Sequence, residues 1–131
     1  MRLAAAYLAF ACLSAAAHAQ APFTPVTLTG DIDADGKPDR VELKLADNGV
    51  QQVIAHLSSQ PGNPMRVVET AEPGASLSIE LRKAGSYPVL YQGTTGERAF
   101  AGDVVLADPG PNGRRLVFWE DGFLRSAWLK D

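Results

Sequence analysis

Hydrophobic and polar residues alternate along most of this chain. In Arg40 to Leu45, Val41, Leu43 and Leu45 fall on one face, and Arg40, Glu42 and Lys44 on the other. A period of two marks a half-buried β-strand. Val26 to Thr29, Gln52 to Leu57, Met65 to Thr70, Asp103 to Ala107, Arg114 to Trp119 and Phe123 to Leu129 read the same way. Ala75 to Lys83 alternates too, with Leu77, Ile79 and Leu81 in phase, so a strand is expected there rather than a short helix. Tyr87 to Tyr91 is expected to be extended, because Pro88 withholds one ladder donor and restricts the residue before it. Turn signals separate these runs: Asp47-Asn48-Gly49, Pro61-Gly62-Asn63-Pro64, Pro109-Gly110-Pro111-Asn112-Gly113 and Glu120-Asp121-Gly122. Gly93-Thr94-Thr95-Gly96 reads as a flexible loop. The pattern predicts an all-β domain, a small antiparallel sandwich or barrel of about seven to nine short strands.

The alternation is absent only at the beginning. Arg2 is followed by an uncharged run of Ala, Leu, Phe, Tyr and Ser from Leu3 to Ala17, and Ala17-His18-Ala19 has the small-x-small form of a cleavage site. This predicts a signal peptide at 1–19, helical, cleaved after Ala19, and a single β-rich domain over 20–131 that is periplasmic or secreted. The run is shorter than the roughly 20 residues of a spanning helix, so no membrane span is expected after cleavage. Cys12 raises a lipoprotein alternative, but Ala9-Phe10-Ala11 lacks the aliphatic residue such a site needs three places before the cysteine. Cys12 is also the single cysteine of the chain, so no disulfide is expected in the mature domain. The 15 acidic residues outnumber the 12 basic ones, for a formal net charge of −3. Four of the acids lie together at Asp31, Asp33, Asp35 and Asp39, so the acidity is local. Without a basic patch, nucleic acid is not an expected partner.

That aspartate loop is the main candidate for chemistry. Counted from Asp31, acidic residues stand at positions 1, 3, 5, 9 and 12, the last being Glu42, with Gly36 at position 6 and the Lys37 carbonyl at position 7. The spacing formally fits the ligand pattern of an EF-hand. The flanks do not, because strands rather than helices border it, and Pro38 holds position 8. Gly30-Asp31-Ile32-Asp33-Ala34-Asp35-Gly36-Lys37-Pro38-Asp39-Arg40-Val41 instead resembles the calcium loop of FG-GAP and VCBS-type repeats, which joins two strands. The resemblance covers Thr29 to Leu45. It implies Asp31, Asp33, Asp35, the Lys37 carbonyl and Asp39 as ligands, with Glu42 outside the motif. Those repeats occur in several copies that build a propeller, whereas here the motif occurs once, so the resemblance implies the loop and not a propeller. The ending, an aromatic pair before a short turn and a final Trp-x-x-Asp, is similar to that of small exported bacterial proteins carrying one such loop.

Electrostatics favours a cation over a bare turn. Two charges about 4 Å apart repel by roughly 1 kcal/mol in water and roughly 4 kcal/mol at an effective dielectric of 20. A turn needs one or two aspartates, not four in this phase. An all-oxygen set on a flexible loop suits Ca²⁺ better than Mg²⁺. The expected role is structural, and Glu42 is an additional possible ligand if the EF-hand pattern applies.

Other candidates are weaker. His56 has no second histidine or cysteine beside it in the domain, and it reads as an ordinary strand residue. Glu69 and Glu72 form an acid pair without a defined cleft. Trp119, Phe123, Arg125 and Trp128 in the terminal hairpin have the composition of a partner-binding face, although most such aromatics fill a core. Tyr87 and Tyr91 project to one side of their segment under the same expectation. The reading is an exported, non-enzymatic β-domain with a structural Ca²⁺ loop that binds a protein or envelope component. The alternatives are a periplasmic inhibitor or immunity-type protein and, further off, a metal-dependent hydrolase.

Overall fold

The structure, a computed structural model, describes residues 23–70, 72–109 and 113–130. The expected signal segment with Cys12 lies outside the described residues, as do positions 110–112 of the expected Pro-Gly turn. The described chain is all-β and forms two antiparallel sheets. The smaller sheet runs in chain order through β1 (Val26–Gly30), β2 (Asp39–Leu45), β3 (Gln51–His56) and β4 (Met65–Glu69). The larger contains β5 (Ser78–Arg82), β6 (Gly85–Tyr91), β7 (Thr94–Phe100), β8 (Val104–Asp108), β9 (Arg115–Glu120) and β10 (Phe123–Leu129), in the spatial order β5-β8-β9-β10-β6-β7. Neither sheet closes into a barrel among the described residues.

Strand β7 adds to the seven to nine strands expected. Residues 94–96, read as loop, belong to it, and the true turn is Gln92-Gly93, both with positive φ (50° and 79°). Two such residues between the paired Tyr91 and Thr94 make a type I′ hairpin, whose twist matches that of the strands. Asp121-Gly122 does the same between β9 and β10, with φ of 52° and 84°.

Two cores result. Val41, Leu43, Val53 and Ala55 of the small sheet pack against Val105, Ala107 and Val117 of the large one. On the opposite face of the large sheet, Val89, Phe100, Val104, Leu106, Leu116 and Phe118 form a second cluster. Four consecutive residues of β8, Val104 to Ala107, are therefore buried, because both faces of that strand are covered. The second face is covered by the sheet itself. At about 4.8 Å per strand, β7 would lie roughly 14 Å from β9 in a flat sheet. Instead the Phe100 and Phe118 rings are 4.8 Å apart, and those of Tyr91 and Phe118 5.3 Å. The β6–β7 hairpin thus curls back over the sheet. Its link to β10 is short, running only through Trp128↔Leu90 and Leu129↔Val89, with one further bond from the Lys130 N–H to the Pro88 carbonyl.

Candidate metal centre

The aspartate loop joins β1 to β2 at one end of the small sheet. Gly36 turns the chain with φ 82°, and Ala34 also adopts a positive φ, of 60°. The loop is organised by its own carboxylates. Asp31 accepts the N–H groups of Asp35 (3.1 Å) and Gly36 (2.9 Å), and Asp35 accepts that of Lys37 (2.9 Å). Asp39, the first residue of β2, faces inward and is only 2% exposed. Its Oδ2 accepts the N–H of Ile32 at 2.8 Å and that of Asp33 at 3.4 Å. Its Oδ1 accepts the N–H and the hydroxyl of Ser58, at 2.8 and 3.2 Å. A buried carboxylate bonded in this way ties loop, β2 and the end of β3 together.

One carboxylate oxygen from each of Asp31, Asp33, Asp35 and Asp39 lies within 4.8 Å of the others. The group can hold a metal ion. Asp33 gives the sharpest indication of fit. Its Oδ2 accepts the Ser59 hydroxyl at 2.6 Å, while its Oδ1 is shielded from solvent and has no hydrogen-bond partner among the described residues. A buried carboxylate oxygen with no donor calls for a proton or a cation. Burial pushes the Asp33 carboxyl above its ordinary value; the Ser59 hydroxyl opposes the rise, and the charges of Asp39 and Asp35 add to it. Asp35, out in solvent, is held below its ordinary value, chiefly by the Lys37 N–H. All four donors are hard oxygens, which suits Ca²⁺ or Mg²⁺ and not a thiolate- or imidazole-preferring metal.

The remaining expected residues fall elsewhere. Lys37 is exposed on the loop, with its N–H engaged by Asp35. Glu42 stands apart from the aspartates. It is three residues beyond Asp39 on the same strand, so it projects from the opposite face. There it meets His56 at 2.8 Å, Lys44 at 3.5 Å and Arg40 at 3.6 Å. Partial desolvation works to raise its pKa, but the His56 bond and the two cationic neighbours outweigh this and hold it below its ordinary value.

The sequence pattern did not point to the residues that brace the loop from outside. Asp103 accepts the Asp31 N–H through Oδ2 at 3.0 Å and the Ala84 N–H through Oδ1 at 3.0 Å, and its own N–H bonds the Asp31 carbonyl at 2.8 Å. Gly102 lies so close to the loop that a Cβ there would stand 2.2 Å from the Ile32 carbonyl oxygen. Ser58 and Ser59 arrive from the end of β3. These residues are distant in sequence and of types common in any loop, so nothing in the chain marks them beforehand.

The four aromatic-hairpin candidates do not form one patch. Trp119 is half-buried against the core between the sheets. Trp128 is 38% exposed, with the Arg115 guanidinium 4.4 Å above its ring. Phe123 and Arg125 share the opposite face of β10, with the guanidinium 5.8 Å from the Phe123 ring. Tyr87 and Tyr91 pack into the second core. No protein-family model, curated protein or solved structure matches the chain.

Proposed function

We propose that this chain is an exported, non-enzymatic β-domain that holds one Ca²⁺ in the β1–β2 loop and acts by binding a protein or envelope component. The observation that carries the calcium reading is the convergence of four aspartates within 4.8 Å, with the Asp33 Oδ1 buried and unbonded among the described residues. The resemblance to FG-GAP and VCBS-type loops supports the same ligands, Asp31, Asp33, Asp35 and the Lys37 carbonyl. Asp39 belongs to that motif as well; its oxygens also accept bonds from four protein donors, so it fixes the loop around the ion besides lending an oxygen to the group. The ion would supply positive charge that cancels carboxylate repulsion and locks the angle between β1 and β2. The partner half of the reading rests on two exposed aromatic side chains of the large sheet, Phe123 and Trp128, with the half-buried Arg125 and Arg115 beside them.

Calcium titration of the chelator-treated protein tests the ion directly. Calorimetry is expected to show one saturable Ca²⁺ site with weaker Mg²⁺ binding. Asp33→Asn should weaken it by about tenfold or more, the loss expected for one charged ligand, and Glu42→Gln should leave it unchanged. An equal loss from Glu42→Gln would reject this ligand set.

A further inference from the structure

A cleft of about 270 Å³ opens between the two sheets, at the end away from the aspartate loop. It lies where β4 ends and where β8 gives way to β9. Its floor is apolar. Val68 and Ala107 belong to the core between the sheets and are 8% and 0% exposed. Its polar groups are few and of both signs. Glu69 and Glu72 approach the cleft from the β4 side, and Arg115 from β9.

The Arg115 guanidinium is stacked 4.4 Å over the Trp128 ring. Stacking engages its face and leaves the N–H groups at its edge for an acceptor. Among the described residues, no ion pair joins it to Glu69 or Glu72. Glu69 is paired with Arg66 at 3.5 Å and accepts the Gln52 amide at 3.3 Å. Glu72 has no such pairing among the described residues. Thr70, only 5% exposed, also lines the cleft. Its Oγ1 accepts the Gln51 N–H at 3.1 Å and donates to the Glu72 carbonyl at 3.4 Å. A hydroxyl has two lone pairs, so one remains for a donor in the cleft.

Opposite charges held apart over an apolar floor specify the occupant. A simple anion would meet two carboxylates, and a simple cation would meet the guanidinium. A ligand with an ammonium, a carboxylate and an apolar body satisfies all of these groups. Volume sets its size. The cleft falls just under the roughly 300 Å³ at which sites for drug-sized ligands begin, so it suits a small molecule. We propose that it binds a free α-amino acid with an apolar side chain. The carboxylate lies on Arg115, the ammonium on Glu72 and the Thr70 hydroxyl, and the side chain against Val68 and Ala107. The proposal goes beyond the reading above and needs neither its calcium site nor its protein partner.

The test titrates the full chain with L-valine, L-leucine and L-phenylalanine in turn and follows the backbone amides by NMR. At least one should bind saturably, with shifts centred on Thr70, Glu72 and Ala107. Its amide analogue lacks the carboxylate, and the corresponding deaminated acid lacks the ammonium. Each should bind about tenfold or more weaker, the value of one charge-assisted bond. Arg115→Gln and Glu72→Gln should weaken the parent ligand by a similar factor and leave the amide spectrum away from the cleft unchanged, which separates lost contacts from lost folding. The analogue series needs no variant, so it decides the matter even where a substitution disturbs the fold. Saturation by none of the three amino acids at millimolar concentration would overturn the proposal. So would an analogue that binds as well as the amino acid, or shifts confined to the recess beside Gly96 and Arg98.

Discussion

Asp39 and Glu42 lie three residues apart on one strand and have different tasks. Asp39 is buried and accepts bonds from three backbone N–H groups and one hydroxyl. Removing it strands those donors, and each unsatisfied buried group costs about 1–3 kcal/mol. In chelator, Asp39→Ala is expected to lower unfolding stability by about 3 kcal/mol or more by urea titration. Asp35→Ala, at an exposed position, should cost less than about 1 kcal/mol under the same conditions. Glu42 acts through charge. Its pKa is lowered in the folded state. Its contribution is therefore fully present above the unfolded value and is lost as pH falls through the folded value. Glu42→Gln should flatten the acid limb of the stability–pH curve; an unchanged acid limb would contradict the assignment. At this scale the aspartates were legible, because carboxylates spaced at every second position have few other uses. Their braces, Ser58, Ser59, Gly102 and Asp103, were not, since only the folded chain brings them near.

The elements divide in the same way. Strands β2 and β3 alternate openly because one of their faces looks into the inter-sheet core and the other into solvent. Strand β7 was hidden. Its inward residues are Thr94, Gly96, Arg98 and Phe100, of which only Phe100 is a large apolar side chain, so the period of two does not show. Gly96 leaves that alternation an empty place, where a Cβ would meet nothing within 4 Å. Turn chemistry was a better guide where glycine followed a short polar residue. Gly122 holds φ 84° in the second central place of its type I′ turn. Gly122→Ala forces a side chain into the left-handed region, where the penalty is about 1 kcal/mol or more. Chemical denaturation should show that loss, and a neutral result would mean that the hairpin tip relaxes freely.

For the whole molecule, the alternation predicts an all-β architecture but not the order of the strands. Sheet order depends on pairings between distant segments, such as β5 with β8 and β10 with β6, which no local pattern encodes. Nor does it reveal that the large sheet curls to build a second core, although the unbroken apolar run Val104 to Ala107 is its trace. The loop sits where these levels meet. It joins the first two strands, is clasped by residues after β3 and before β8, and so links both sheets. An ion there would be coupled to global unfolding and not merely to local order. The most direct measurement is thermal unfolding of the protein in EDTA, in excess Ca²⁺ and in excess Mg²⁺. Ca²⁺ at about 100 times its dissociation constant should add about 2.7 kcal/mol, a rise of several degrees, with a smaller effect from Mg²⁺ and, at the same Ca²⁺ concentration, no more than about half of it in Asp33→Asn. An unfolding temperature that does not change between EDTA and millimolar Ca²⁺ would contradict the calcium account.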